Sequence, residues 1–311
     1  MRGTRAREHS VLRAPCQEGP GEESTPLMPQ PALHILLARQ TLERWGSSPH
    51  APFDVHDDGA VNAFMHGSLA PDMGNFPGGS RALARLVHTR RTGGVQRVLL
   101  ERAATQEEHA FALGWLAHII ADVLVHPLVN EDAERRRQPG AAQIVEHVRV
   151  EVGLDVWFCW QHAALRGIRL RPAFDRTAYG FLADTLNSVI DAGVTTEQLT
   201  RMERGLIMFS HGALHFATTV ARRLSWRDDL TVTVPLGSAL VWHTASRLSP
   251  VNSVVNAYLN PHIPEPRLIG RVESALRSFD GMLDAAVADG ARSLPDYDLE
   301  DGTIRTDQRV A

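Results

Sequence analysis

Apolar residues recur three and four positions apart along most of this chain, and polar, Gly- and Pro-containing breaks separate the periodic stretches. That pattern predicts helices. Residues 31–45 read as a helix on Leu33, Leu36, Leu37 and Trp45, followed by the loop "GSSPHAPFDVHDDG" at 46–59. A short helix is expected at 60–70, broken by "APDMGNFPGGS", and a further one at "RALARLVHTR", which "TGG" ends. Residues 105–129 predict a long helix that opens on a capping box, Thr105 with Glu108 three positions on. "ERRRQPG" is a loop, and 141–165 are a second long helix. Helical periodicity returns in "RTAYGFLADTLNSVIDAG", "TTEQLTRMERGLIMFSHGALHFATTVARRL" and "PEPRLIGRVESALRSFDGMLDAAVADGARSL". Residues 230–243 are ambiguous, since "LTVTV" could be extended. No internal repeat is seen. The expected fold is all-α: a single multi-helix domain over 28–295 with a metal cluster between helices. A disordered extension at 1–27 precedes it, and a loose polar tail at 296–311 follows.

The chain is 43% hydrophobic over 311 residues, enough to bury a sizeable core. A net charge of −4 with His neutral gives neither a basic footprint for duplex nucleic acid nor a polybasic membrane patch. All 32 basic residues are Arg, which reads as codon bias of a GC-rich, bacterial genome. Two Cys, Cys16 and Cys159, cannot build a disulfide framework. No run of 18 apolar residues predicts a transmembrane helix, and the first 27 residues lack an apolar signal core, so a cytoplasmic protein is expected, with Met28 a candidate start.

The candidate chemistry sits in "HIIADVLVHPLVN", which puts His118, Asp122 and His126 four residues apart on one face of an otherwise apolar helix. The two histidines are about 12 Å apart along the axis, so one ion with bonds of about 2 Å does not reach both. Two ions can, with Asp122 between them offering two oxygens. The next helix carries His147 and Glu151 at i, i+4, a pair able to chelate one ion, with Asp155 one turn on. Upstream stand His34 in "ALHILL", Asp72 in "HGSLAPDMGNF" and His88 at the end of "ALARLVH". Core histidines satisfied by hydrogen bonds are the competing account, and three ligand-type residues on one apolar face count against it.

In this order, His34, Asp72, His88, "HIIADVLVH" and "HVRVE", the chain resembles the zinc-dependent phospholipase C family. That family's relatives include the N-terminal domain of glycosylphosphatidylinositol phospholipase D and the single-strand-specific zinc nucleases. "GSLAPD" looks like the loop bearing the family's acidic ligand, and "LGWLAHIIADVLVHPL" like its core helix; the likeness runs from residue 29 to about 160. It implies an all-helical fold with two or three zinc ions. His118, Asp72, His88 and Asp122 would hold one; His126, His147 and Glu151 a second; His34 and Asp122 a third, with the chain's own amino terminus. The four-residue step from Asp122 to His126 is that of the phospholipase D-like branch; the bacterial phospholipases have six. The implied activity is phosphodiester hydrolysis, a phospholipid being one candidate substrate, with Asp72 the catalytic carboxylate and Asp155 and Glu146 orienting imidazoles. The alternatives are a zinc nuclease and a non-catalytic module stabilised by zinc.

The other histidines read as structural or pocket-lining: His211 and His215 in "SHGALHFAT", and His109, His162, His243 and His262. His66 could line the site. Arg135, Arg136 and Arg137 could meet a phosphate but read first as a solvated loop. "HDD" at 56–58 lacks helical ligand context, and no Glu-x-x-His pair supports a di-iron bundle.

Overall fold

The computed structural model describes residues 31–76, 78–137, 139, 142–162, 165, 168–174, 179–223 and 261–306. The N-terminal extension and the ambiguous stretch at 230–243 lie outside them. The described residues form helices α1 (Pro31–Gly46), α2 (Asp58–Gly67), α3 (Arg81–Thr89), α4 (Thr92–Arg102), α5 (Gln106–Arg136), α6 (Gln143–Gln161), α7 (Gly180–Ile190), α8 (Thr196–Arg223), α9 (Pro266–Leu276) and α10 (Phe279–Ala288). A 3-10 turn, Ala70–Asn75, follows α2. Among the described residues there is no strand, only an isolated antiparallel bridge between Tyr297 and Ile304. The fold is all-α, as the periodicity predicts.

Helix α5 is the axis of the molecule. Its capping box is formed, with Thr105 Oγ1 accepting from Glu108 N at 3.1 Å and Glu108 Oε2 accepting from Thr105 N at 3.2 Å. From Ala110 to Asp122 every residue is buried, because α2, α6, α4, α9, α10 and α1 all pack around it. By length and composition alone α5 could span a membrane, but 72% of its apolar window is buried inside this protein. The surrounding helices account for its apolarity. α2 crosses α5 where Gly67 meets Gly114, and a Cβ on either would lie 2.1 Å from a backbone oxygen of the other helix. That crossing lets the two backbones touch and sets the 3-10 turn beside the middle of α5. One hydrophobic cluster runs from Ala32 to Leu299.

Three boundaries differ from the periodicity reading. "TGG" opens α4 instead of ending a helix: Arg91 takes a left-handed φ of 47°, and α4 starts at Thr92. The glycines serve close approach, since a Cβ on Gly93 would lie 2.5 Å from Leu294 O, while Gly94 N donates to Asp296 Oδ1 at 3.0 Å. α5 runs on through Pro127 to Arg136, so two residues of the Arg run expected in a loop are helical, Arg137 caps the helix, and all three are paired. Asp132 accepts from Arg135 and Arg136, Glu265 accepts from both as well, and Glu134 accepts from Arg137. These cations are neutralised by carboxylates and form no open phosphate cradle. Finally, the expected loose tail is ordered over 296–306. Asp298 N donates to Thr303 O and Gly302 N to Asp298 O, both at 2.7 Å, and Leu299 is fully buried.

Candidate metal centre

Each ligand-type residue arrives on a different piece of this frame. α1 carries His34. The 3-10 turn that α2 feeds carries Asp72, the last turn of α3 carries His88, α5 carries His118, Asp122 and His126, and α6 carries His147 and Glu151. All eight converge. Their potential ligand atoms fall into three groups, each within 4.8 Å: His34, His118 and Asp122; Asp72, His88 and His118; His126, His147 and Glu151. His118 and His126 fall in different groups, as the helical spacing requires.

Asp122 is the hub. Its Oδ1 lies 3.2 Å from His34 Nε2 and 3.7 Å from His126 Nε2; its Oδ2 lies 2.9 Å from His118 Nε2 and 3.8 Å from His88 Nε2. Asp72 reaches His88 Nε2 at 3.0 Å through Oδ1 and His118 Nε2 at 3.8 Å through Oδ2. Glu151 Oε1 lies 2.9 Å from His147 Nε2 and 3.4 Å from His126 Nε2. His34 and His118 stack with centroids 4.2 Å apart. His126 is the most open of the set, with 15% of its side chain accessible.

The second nitrogen of four imidazoles is used in one consistent way. Nδ1 bonds Ala84 O in His88 at 2.8 Å, Ser68 O in His118 at 3.0 Å, Leu299 O in His126 at 2.5 Å and Asn130 Oδ1 in His147 at 2.8 Å. Each acceptor is an oxygen, so Nδ1 carries a hydrogen and Nε2 is the atom aimed at the cluster, the arrangement metal-binding histidines adopt once Nε2 gives up any proton to the metal. Meanwhile His118 Nε2, Asp122 Oδ2 and His147 Nε2 are buried without a well-aligned hydrogen bond, although each lies 2.9 Å from a facing ligand-type atom. Buried polar atoms are costly to leave unpaired, and a shared cation would satisfy them. The residues fit a divalent metal.

The local field agrees. Burial opposes ionisation of Asp122, but the imidazoles of His118 and His126 hold its carboxyl well below the usual range. Burial also opposes charge on His88, yet the bond to Asp72, with Asp122 behind it, raises its pKa to about 9. Desolvation opposes charge on the half-buried His126 as well, and Asp122 and Glu151 raise its pKa to about 10. Three buried carboxylates thus make this interior strongly attractive to positive charge.

Two expected orienting residues act elsewhere. Glu146 bonds His262 Nε2 at 2.5 Å and Arg149 Nη1 at 2.8 Å. Asp155 accepts from the backbone amides of Ala32 and Leu33 at the start of α1, and burial raises its pKa well above the carboxylate range. The side chains and carbonyls that do orient the rings, Asn130, Ser68, Ala84 and Leu299, were not singled out from the sequence. Only Asn130, one turn after His126, carries a side-chain signal. His66 is buried beside Glu203, 3.6 Å away, and burial lowers its pKa to about 4. His211 accepts from Leu170 N at 2.8 Å. In "HDD", Asp57 caps α2 by accepting from Ala60 N at 2.8 Å.

An all-helical frame thus brings eight His, Asp and Glu side chains, seven of them buried and His126 half-buried, into adjoining sets of three that could hold metal ions. Residues 33–197 match the family described as zinc dependent phospholipase C. The chain belongs to that family. No curated protein and no solved structure matches it.

Proposed function

We propose that this protein is a zinc-dependent phosphodiester hydrolase of phospholipase C type. It would hold two or three ions on His34, Asp72, His88, His118, Asp122, His126, His147 and Glu151. The observation that carries this reading is the uniform pinning of four Nδ1 atoms beside Nε2 and carboxylate atoms that crowd one buried centre without aligned hydrogen bonds. Family membership supports the metal and the reaction class.

Zinc, when bound, supplies an acidified water and neutralises charge on the phosphoryl oxygens. The protein's share is placement. Asp72 sits on a 3-10 turn instead of a long helix, and His88 Nε2 at 3.0 Å and Asn75 Nδ2 at 3.4 Å both face its Oδ1. Held this way it orients the attacking water and accepts its proton. Asp122 keeps the two halves of the centre in register through its two oxygens.

The test is metal analysis of the purified chain, joined to a phosphodiester panel in which release of phosphocholine, diacylglycerol and nucleotides is followed in parallel. At least two zinc per chain and turnover of one class are expected. Fewer than one zinc, with no gain on adding it, overturns the reading. Asp72→Asn should abolish turnover while the fold persists; unchanged function would favour a module that keeps zinc for stability alone.

A further inference from the structure

We infer that Asp298–Gly302, a strap outside the residues the family match covers, is a positioning element of the metal centre. It sets the ring orientation of His126 directly and that of His147 through Asn130. This inference rests on reading the centre as a zinc site. The match ends at residue 197, well before the strap.

The strap crosses the centre through its backbone. Leu299, fully buried, donates its amide to His88 O at 2.9 Å, and its carbonyl accepts from His126 Nδ1 at 2.5 Å. The next carbonyl, of Glu300, accepts from Asn130 Nδ2 at 2.6 Å, and Asn130 Oδ1 takes the Nδ1 hydrogen of His147 at 2.8 Å. Two of the three residues in the His126–His147–Glu151 group are therefore aimed by residues 299 and 300. The other end of Leu299 grips the backbone of His88, which belongs to a different group.

The strap's shape is fixed where it meets α5. Gly302 has φ +74°, and a Cβ there would lie 2.8 Å from Pro127 Cγ and 2.9 Å from Val123 O. Pro127 has no amide hydrogen, so it cannot donate to Val123 O in the α5 turn that contains His126. Only a residue without a side chain seats on that turn in this conformation. Arg305 and Asp298 pair across the strap, and Asp298 Oδ1 accepts from Glu300 N at 3.0 Å. An imidazole that loses its Nδ1 acceptor is free to rotate or to change tautomer, and losing such a partner typically costs roughly 10- to 100-fold in metal affinity.

The experiment compares the full chain with Gly302→Val, Asn130→Leu and Asn130→Asp, measuring zinc per chain, zinc affinity by chelator competition, and the circular dichroism of each variant. Gly302→Val and Asn130→Leu are expected to weaken one zinc by roughly 10- to 100-fold and to leave the remaining zinc at wild-type affinity. Asn130→Asp keeps an acceptor for His147 but loses the donor to Glu300 O, so it should fall between wild type and Asn130→Leu; an Asp variant equal to wild type counts against the strap's part in aiming His147. A role in stability alone would lower the melting temperature without this selective loss. Folded variants that hold every zinc with unchanged affinity, or that weaken all zinc equally, overturn the proposal. If Gly302→Val does not fold, the Asn130 pair decides by the same criteria. A wild-type chain that binds no zinc would overturn the functional reading and the strap's role with it, whereas unaffected variants of a zinc-binding chain overturn the strap alone.

Discussion

Replacing Gly114 by Ala tests whether the α2–α5 crossing holds the centre together. Within a helix, Gly→Ala ordinarily stabilises by about 1 kcal/mol. At Gly114 the added Cβ would meet Phe64 O at 2.1 Å, Gly67 Cα at 2.9 Å and Ser68 N at 2.9 Å. Relaxed non-bonded contact needs roughly 3.5 Å, so one helix must retreat by about 1 Å or more. The obstructing atoms are backbone, which cannot rotate aside, and overpacking of this kind costs about 3 kcal/mol at the upper end of its usual range. The net expectation is a loss of about 2 kcal/mol after the propensity gain is subtracted. The retreat also pulls Ser68 O from His118 Nδ1, now 3.0 Å away, and carries Asp72 off His118, so zinc affinity should fall as well. Gly270→Ala is the control: it lies in α9 with no atom within 4 Å of its Cβ position, and should stabilise by roughly 0.5–1 kcal/mol. Urea unfolding in one zinc-containing buffer, followed by far-ultraviolet circular dichroism, reads both. A Gly114→Ala protein as stable as wild type, or two variants shifted in the same direction, would refute the argument.

Three further outcomes are expected. Asp122→Asn should lower bound zinc by more than Glu151→Gln does, because Asp122 lies within 3.8 Å of four imidazoles and Glu151 within 3.4 Å of two; equal losses by metal analysis would count against a hub. Glu203→Gln should flatten part of the pH dependence of stability. Burial raises the pKa of Glu203, with its bonds to Tyr179 and Ala173 opposing that rise. The folded state therefore holds this proton to higher pH than the unfolded chain, and wild type loses stability relative to the variant as pH climbs from the ordinary carboxyl value through the raised one. Parallel urea midpoints across that window would contradict it. Chelation should destabilise the wild type, since buried carboxylates and imidazoles then lose their shared partner, with added zinc restoring the melt.

Five of the eight clustered residues were legible in the sequence because helical spacing projects i, i+4 side chains to one face, and because three ligand residues on an apolar face have few other uses; His34 and His88 stand alone in their helices and joined them through the family likeness. Asp72, on an irregular turn, was found through family likeness instead of periodicity. What stayed hidden shares one physical cause. The acceptors that aim the rings are mostly backbone carbonyls, which every residue has, so Leu299, Ser68 and Ala84 give no sign of their use. Gly93 and Gly94 look like helix breakers but admit the chain at Leu294–Asp296, and the polar segment after Pro295 looks like solvent-facing tail although Leu299 is fully buried.

The long separation between His126 and its acceptor also has a bearing on biogenesis. Residues 31–161 leave the ribosome well before Leu299, and N-terminal structure forms first during synthesis. Ser68 and Ala84 are therefore in place for His118 and His88 early, while His126 waits for a partner 173 positions downstream. The last acceptor of the candidate centre thus comes from the far end of the chain, so a truncation before Leu299 removes the Nδ1 partner of His126 and leaves those of His118 and His88 in the sequence.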